Sequence, residues 1–557
     1  MLFNSVEFLV FFVLVYGLYV ALQGRYRWQN LLLLAGSYFF YGWWDIRFLF
    51  LIVITTVVDY NTALIIRNGT STARHRLVSS LYLATASLLF LTLQWGAFDF
   101  SPVWIGDPPR LDLLGLFPRT LSGWSGFLLT SAALIGANLV YFAMLRLDRE
   151  ARARVALALS ITVNLGILGF FKYYNFFADS FAVLSQNALG FTPDRFTLDI
   201  VLPVGISFYT FQSMSYTIDT FRRDVAPTES LVDFAAYLSF FPQLVAGPIE
   251  RGKSLLPQFR RPRTLDWEQS RQGMWLIAWG MYKKVVIADN VAAIVNSTFG
   301  PYDGADPSSV IPDDGFRILV AVLAFAVQIY TDFSGYSDIA RGTAKLMGFD
   351  IMVNFRLPYI AKDPSEFWQR WHISLSTWLR DYLYIPLGGN RAGPLGTYRN
   401  LMITMILGGL WHGAAWNFVI WGLYQGTILV LYRFFDERGW RLPDFKGKAF
   451  LKGVVMFGFV LYGWLIFRAQ NLDTIGIFTL SIFGHPQGSP QAWADLKTLL
   501  FYAHPLIIFQ FLQVRFATLD PMAKWPLLVR VAIWTFIIMS TLALAPSEGG
   551  EFIYFAF

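Results

Sequence analysis

Apolar blocks of membrane-spanning length recur along the whole chain, separated by loops in which arginine collects on alternate turns. A helix needs roughly 20 predominantly apolar residues to cross a bilayer. Blocks of about that reach occupy residues 8–22, 31–44, 48–66, 77–95, 127–145, 155–171, 202–218, 272–295, 316–330, 454–467, 499–512 and 529–544. Of the 557 residues, 55% are hydrophobic and 15% charged, against roughly 25% charged in soluble domains. Inside a bilayer every backbone amide must be paired within its own segment. The expected fold class is therefore an all-α polytopic membrane protein.

Charge sets the expected orientation. Arg25 and Arg27, then Arg67, Arg74 and Arg76, then Arg146, Arg149, Arg152 and Arg154, then Arg222 and Arg223 fall on alternate loops. The positive-inside rule makes those loops cytoplasmic. Both termini are then expected outside, the tail APSEGGEFIYFAF included. Residues 73–149 read as a transmembrane hairpin with a Pro-rich outer loop. The first block lacks the basic flank and cleavage site of a signal peptide. With no cysteine in the chain, disulfides, a thiol nucleophile and thiolate metal sites are excluded.

Several segments depart from simple spans. Residues 229–263 contain Pro242, Gly247 and Pro248 and end in Arg251, Lys253, Arg260, Arg261 and Arg263. They read as a cytoplasmic re-entrant or interfacial element, suited to anionic lipid or to a phosphorylated ligand. Block 272–295 crosses in spite of Lys283 and Lys284. Block 316–330 leads into QIYTDFSGYSDIARG, whose Gln328, Tyr330, Asp332, Ser334, Tyr336, Ser337 and Asp338 must face protein or water. In DPSEFWQRWHISLSTWLRDYLYIPLGGNR, Asp363, Pro364 and Glu366 mark a helix start. Trp368, Trp371, Leu375 and Trp378 then recur at helical spacing, which predicts an amphipathic helix at the boundary, with His372 riding on it.

Residues 401–426, LMITMILGGLWHGAAWNFVIWGLYQG, are apolar but for a few groups, and His412 sits near their centre. A charged side chain at that depth costs about 2.5 kcal/mol or more. An imidazole can be neutral, since its ordinary pKa is about 6.5, and burial favours the neutral form. The same chemistry suits a general base. Gly408, Gly409 and Gly413 allow close approach, and Trp411 and Trp416 are expected to wall the histidine. A histidine that only hydrogen-bonds a neighbouring helix would show the same pattern. Basic residues flank both ends, so the block predicts two half-buried helices meeting near residues 408–413, with His412 at the tip of a hairpin that starts and ends in the cytosol.

Taken together, NLLLLAGSYFFYGWWDIRFL, KYYNFF, LPVGISFYTFQSMSY, FFPQLVAGPIER, the QIYTDFSGYSDIARG run, FWQRWHISLSTWLRDYLYIPLGGNR, GGLWHGAAWNF and FIYFAF resemble the membrane-bound O-acyltransferase (MBOAT) family. More narrowly they are similar to its bacterial AlgI-like branch of alginate O-acetylation, related to the D-alanyl transfer protein DltB. The resemblance implies a ring of helices whose thin centre separates a cytoplasmic from a periplasmic funnel. It implies that His412 is the catalytic histidine and His372 the second histidine of the branch. It also implies a bacterial inner-membrane location, with periplasmic SGNH-type acetyltransferases and polysaccharide biosynthesis machinery as partners. Residues 363–426 would form the catalytic core. The inserted hairpin at 73–149 departs from the family pattern and leaves the identity of those partners open.

The function expected is transfer of an acetyl group from a cytoplasmic donor, acetyl-CoA, to a hydroxyl of an extracytoplasmic polysaccharide such as alginate. His412 would act as base. Tyr330, Asp332, Ser334 and Asn417 are candidate substrate-binding or orienting groups, and Arg251 and Lys253 candidates for the donor's phosphates. No bound cofactor, metal or nucleic acid is expected; membrane lipids are. The alternatives are a transporter of an acylated carrier or glycan, a scaffold without chemistry, or acylation of a lipid acceptor.

Overall fold

The computed structural model describes residues 1–95, 98–99, 110–111, 115–191, 197–303, 312–440, 442–546, 550 and 552–553. Within them the chain is helical apart from irregular connections and one antiparallel pair, Phe98–Asp99 with Arg110–Leu111. Eight helices among the described residues are long and apolar enough to cross a membrane. The protein is an all-α polytopic membrane protein. Most of the expected Pro-rich loop, Asp306, Arg441 and parts of the terminal tail lie outside the described residues.

Contacts divide the chain into two compact units. The first comprises Met1–Phe171, Ile200–Val245 and Glu250–Thr264. The helix Leu49–Asn68 runs through it, with Asp59 fully buried. A buried carboxyl must find donors. Ser160 Oγ gives a hydrogen bond at 2.6 Å, Asn164 Nδ2 one at 2.8 Å, and Ser213 a third. Within residues 73–149 the described helices include Ala73–Ser87 and Ser125–Met144, and the second, with the turn before it, is long and apolar enough to cross a membrane. In the segment at 229–263, Leu231–Leu238, Phe241–Leu244 and Gly252–Phe259 are separate short helices. Arg263 is spent on the interior: it donates to Tyr19 Oη at 2.7 Å and to Asn30 Oδ1 at 2.7 Å. Arg251 and Lys253 stand at the start of the third short helix.

The second unit comprises Lys172–Asp199, Ala246–Ile249 and Leu265–Phe557. At its heart the helix Trp267–Met281 lies against the long helix Gly315–Leu346. Glycines make this approach possible. A Cβ on Gly280 would lie 2.6 Å from Gly335 O, and one on Gly273 2.8 Å from Gly342 O, the small-residue seam of membrane helix pairs. Beyond Met281 the helix widens into a π-helical turn, Tyr282–Ala288, carrying Lys283 and Lys284. Lys284 Nζ lies 2.8 Å from Asp332 and 2.9 Å from Asp289, and Lys283 Nζ 2.7 Å from Asp338 and 2.9 Å from Ser334. The two buried lysines are thus paired with carboxylates, Asp332 and Asp338 from the polar run and Asp289 from their own segment, as low dielectric demands.

Two expectations need correction. The block at 316–330 does not end at Tyr330; one helix carries it through the polar run to Leu346. The amphipathic helix starts as expected, with Asp363 Oδ1 accepting the Glu366 amide at 2.8 Å, but it breaks into Pro364–Arg370 and Ile373–Leu379. The cause is tertiary pairing: Asn354 O accepts the Ile373 amide at 2.9 Å, Asn354 Oδ1 the Ser374 hydroxyl at 3.0 Å, and Arg370 O the Arg356 amide at 2.9 Å. His372, at the break, has a left-handed backbone with φ of 43°. The two helices expected to meet beside His412 do so. They are Gly393–His412 and Trp416–Glu437, of 20 and 22 residues, joined by the turn at residues 413–415.

Candidate active site

His412 is the last residue of its helix, and the turn after it is tight for a reason visible in the glycines. A Cβ on Gly413 would overlap the Phe418 ring, and one on Gly409 the Phe418 carbonyl oxygen. The two helices therefore close on each other at backbone distance, with the imidazole left between aromatic faces. His412 is 5% exposed. Its ring centroid lies 5.1 Å from that of Trp411, 5.2 Å from Trp421 and 5.4 Å from Phe467. All three contacts are edge-on, the favoured aromatic geometry.

Trp416, expected to wall the histidine, does not. It begins the return helix, is 55% exposed, and packs on Phe176 at 5.5 Å. Trp421, more than a turn further on, faces inward instead. Phe467 comes from the end of the helix Lys448–Arg468. Asn417 Nδ2 donates to Ala469 O at 2.8 Å, so this candidate orienting group ties the return helix to the end that presents Phe467.

His372 is fully buried, 6.4 Å from His412 between ring centroids. Phe333 stands edge-on to it at 4.7 Å and Trp411 at 5.8 Å, while Ser374 Oγ lies 3.5 Å from its Nδ1. Upstream, partial burial pushes the Glu366 carboxyl up. The Lys362 amide and the Arg370 guanidinium outweigh that and hold it below the usual carboxylate range.

Tyr330 is one aromatic layer removed, with Phe355 at 5.9 Å and Trp371 at 6.4 Å. It lines a cavity of about 40 Å³ with Lys283, Ser334, Asp338, Arg341 and Gln510, room for a few waters. Asp332 faces elsewhere, toward Lys284 and the Ile553 amide at 2.7 Å. The structure thus gathers His412, His372 and Trp411, puts Tyr330 and Ser334 on the adjoining cavity, and places Arg251 and Lys253 in the first unit. Among the described residues no three His, Cys, Asp or Glu side chains gather as metal ligands.

Two residues went unassigned in the sequence. Lys172 Nζ donates to Trp411 O at 2.7 Å and to His412 O at 2.9 Å, and Tyr173 Oη to Leu410 O at 2.9 Å. A lysine one residue past the predicted span at 155–171, opening KYYNFF, was the available signal.

Residues 182–472 match the family described as MBOAT, membrane-bound O-acyltransferase family. The chain is 40% identical to the "Probable alginate O-acetylase AlgI" of Azotobacter vinelandii, over 85% of this chain and 76% of that protein. It is 36% identical to the "Peptidoglycan O-acetyltransferase" of Helicobacter pylori, over 60% of this chain and 66% of that one. Similarity extends, at 27% identity, to the "Teichoic acid D-alanyltransferase" of Bacillus subtilis, over 48% of this chain and 69% of that one.

Proposed function

The chain belongs to the membrane-bound O-acyltransferase family, and from that premise we propose that it O-acetylates an extracytoplasmic polysaccharide, with His412 as general base. As a family member it is an O-acyltransferase. The polysaccharide reading is supported by the alginate and peptidoglycan named for its relatives.

The observation that carries the role of His412 is its enclosure. An imidazole at a helix end, ringed by Trp411, Trp421 and Phe467, is kept from bulk water while remaining next to a second histidine. The donor in this reading is a cytoplasmic thioester, acetyl-CoA. An acceptor oxygen attacks the thioester carbonyl carbon while His412 takes the hydroxyl proton. The carbon–sulfur bond then breaks, and the imidazolium returns the proton to the departing thiolate. A positioned base contributes typically about 10²–10⁴-fold. The aromatic wall supplies the dry surroundings in which such a proton transfer is not lost to solvent.

In this reading the protein sits in the bacterial inner membrane with both termini periplasmic. Its partners are a periplasmic SGNH-type acetyltransferase and the polysaccharide machinery, and the family's ring of helices with two funnels provides the route. Replacement of His412 by Ala should leave expression and membrane insertion intact and abolish acetylation of the cell's polysaccharide. Acetylation at the wild-type level would refute it.

A further inference from the structure

The end of a helix leaves its last four carbonyls without intrahelical donors. In the His412 helix these are the carbonyls of Gly409, Leu410, Trp411 and His412, at the point where the proposed base is held. Three of them are taken by two adjacent side chains: Lys172 Nζ reaches Trp411 O and His412 O, and Tyr173 Oη reaches Leu410 O. We propose that Lys172, with Tyr173 beside it, is the positioning residue for His412. The inference rests on the reading of His412 as base.

The geometry around the pair is consistent with a brace. Lys172 and Tyr173 lie in a π-helical turn, Gly169–Tyr173, a form that recurs at functional sites. The segment is itself tied down. Asn175 Nδ2 donates to Leu198 O at 2.8 Å, and Asn175 Oδ1 accepts the Leu198 amide at 3.0 Å. Phe176 packs on Trp416, at the far side of the turn. Lys172 thus holds one end of the tip and Phe176 the other. An ammonium at a helix C-terminus also meets the negative end of the macrodipole, and its bonds are charge-assisted. Lys172 touches no reacting atom in this account; it acts by fixing the last turn, and through it the imidazole.

The test compares Lys172→Met, Lys172→Arg, Tyr173→Phe and His412→Ala in the purified full-length protein in vesicles, with radiolabelled acetyl-CoA as probe. Turnover, KM for the probe and the melting temperature are read together. A displacement of about 1 Å can cost about 10²-fold in rate. K172M is expected to lower kcat by about that factor with KM and melting temperature unchanged, and K172R, which can still reach two carbonyls, to restore most of it. Y173F, losing one bond of three, should fall between. Wild-type kcat in K172M overturns the inference. So does a loss in K172M that tracks its melting temperature and that K172R does not relieve. If K172M fails to fold, K172R and Y173F carry the test: near-wild-type kcat in K172R with reduced kcat in Y173F at unchanged melting temperature supports it, and any other pattern overturns it. An active H412A would remove the base reading itself; an inactive H412A beside a fully active K172M would remove only the role of Lys172.

Discussion

The imidazoles of His372 and His412 lie 6.4 Å apart, centroid to centroid, inclined at 65°, with the Trp411 ring in contact with both. They arrive from opposite kinds of backbone. His412 ends a helix of 20 residues, whereas His372 occupies a left-handed kink between two helices of 7 residues each. The kink is held by Asn354, so the spacing of the two rings depends on a residue distant in sequence.

That dependence predicts a split between backbone and side-chain effects at His372. Ala at a left-handed position is strained and leaves a cavity, so His372→Ala should lose about 1–3 kcal/mol of stability. Asn tolerates the conformation, so His372→Asn should melt near the wild type. Both should impair acyl transfer. Thermal unfolding beside an activity assay separates the two contributions.

The turn after His412 predicts a sharp penalty for one methyl group. Gly413→Ala puts a carbon into the Phe418 ring, and overpacking of this kind costs about 1–3 kcal/mol. Opening the turn to relieve it displaces His412. The variant should therefore lose both melting temperature and activity, while Gly458→Ala, where a Cβ meets nothing within 4 Å, should lose neither.

The interior ion cluster predicts that Lys284 is structural. Its removal leaves Asp332 and Asp289 buried without their cation. Breaking a buried pair typically costs about 3–5 kcal/mol. Lys284→Met should accordingly show a large loss of folded protein in a size-exclusion or melting assay, in excess of any change in KM.

How far these features could be read from residues alone differs by kind. Several spans were legible because hydropathy acts locally; the helix Leu527–Leu544, for example, begins two residues before the block at 529–544. The start at Asp363 was legible because a cap is a local hydrogen bond. The break at His372 was not, since helical spacing of Trp368, Trp371 and Leu375 continues through it and the bonds that interrupt the helix come from Asn354 and Arg356, earlier in the chain. The replacement of Trp416 by Trp421 in the wall depends on where the helix restarts. The role of Lys172 depends on a contact across 240 positions of sequence. Lys283 and Lys284 were the missed opportunity: two lysines in an apolar block call for acidic partners, and Asp332 and Asp338 were already in view.

The central claim is that His412 performs the chemistry, and single-turnover transfer measures it most directly. Wild-type protein in vesicles should consume labelled acetyl-CoA in the presence of a hydroxyl acceptor, and His412→Ala, folded to the same melting temperature, should consume essentially none. Undiminished consumption by the His412→Ala protein would contradict the account.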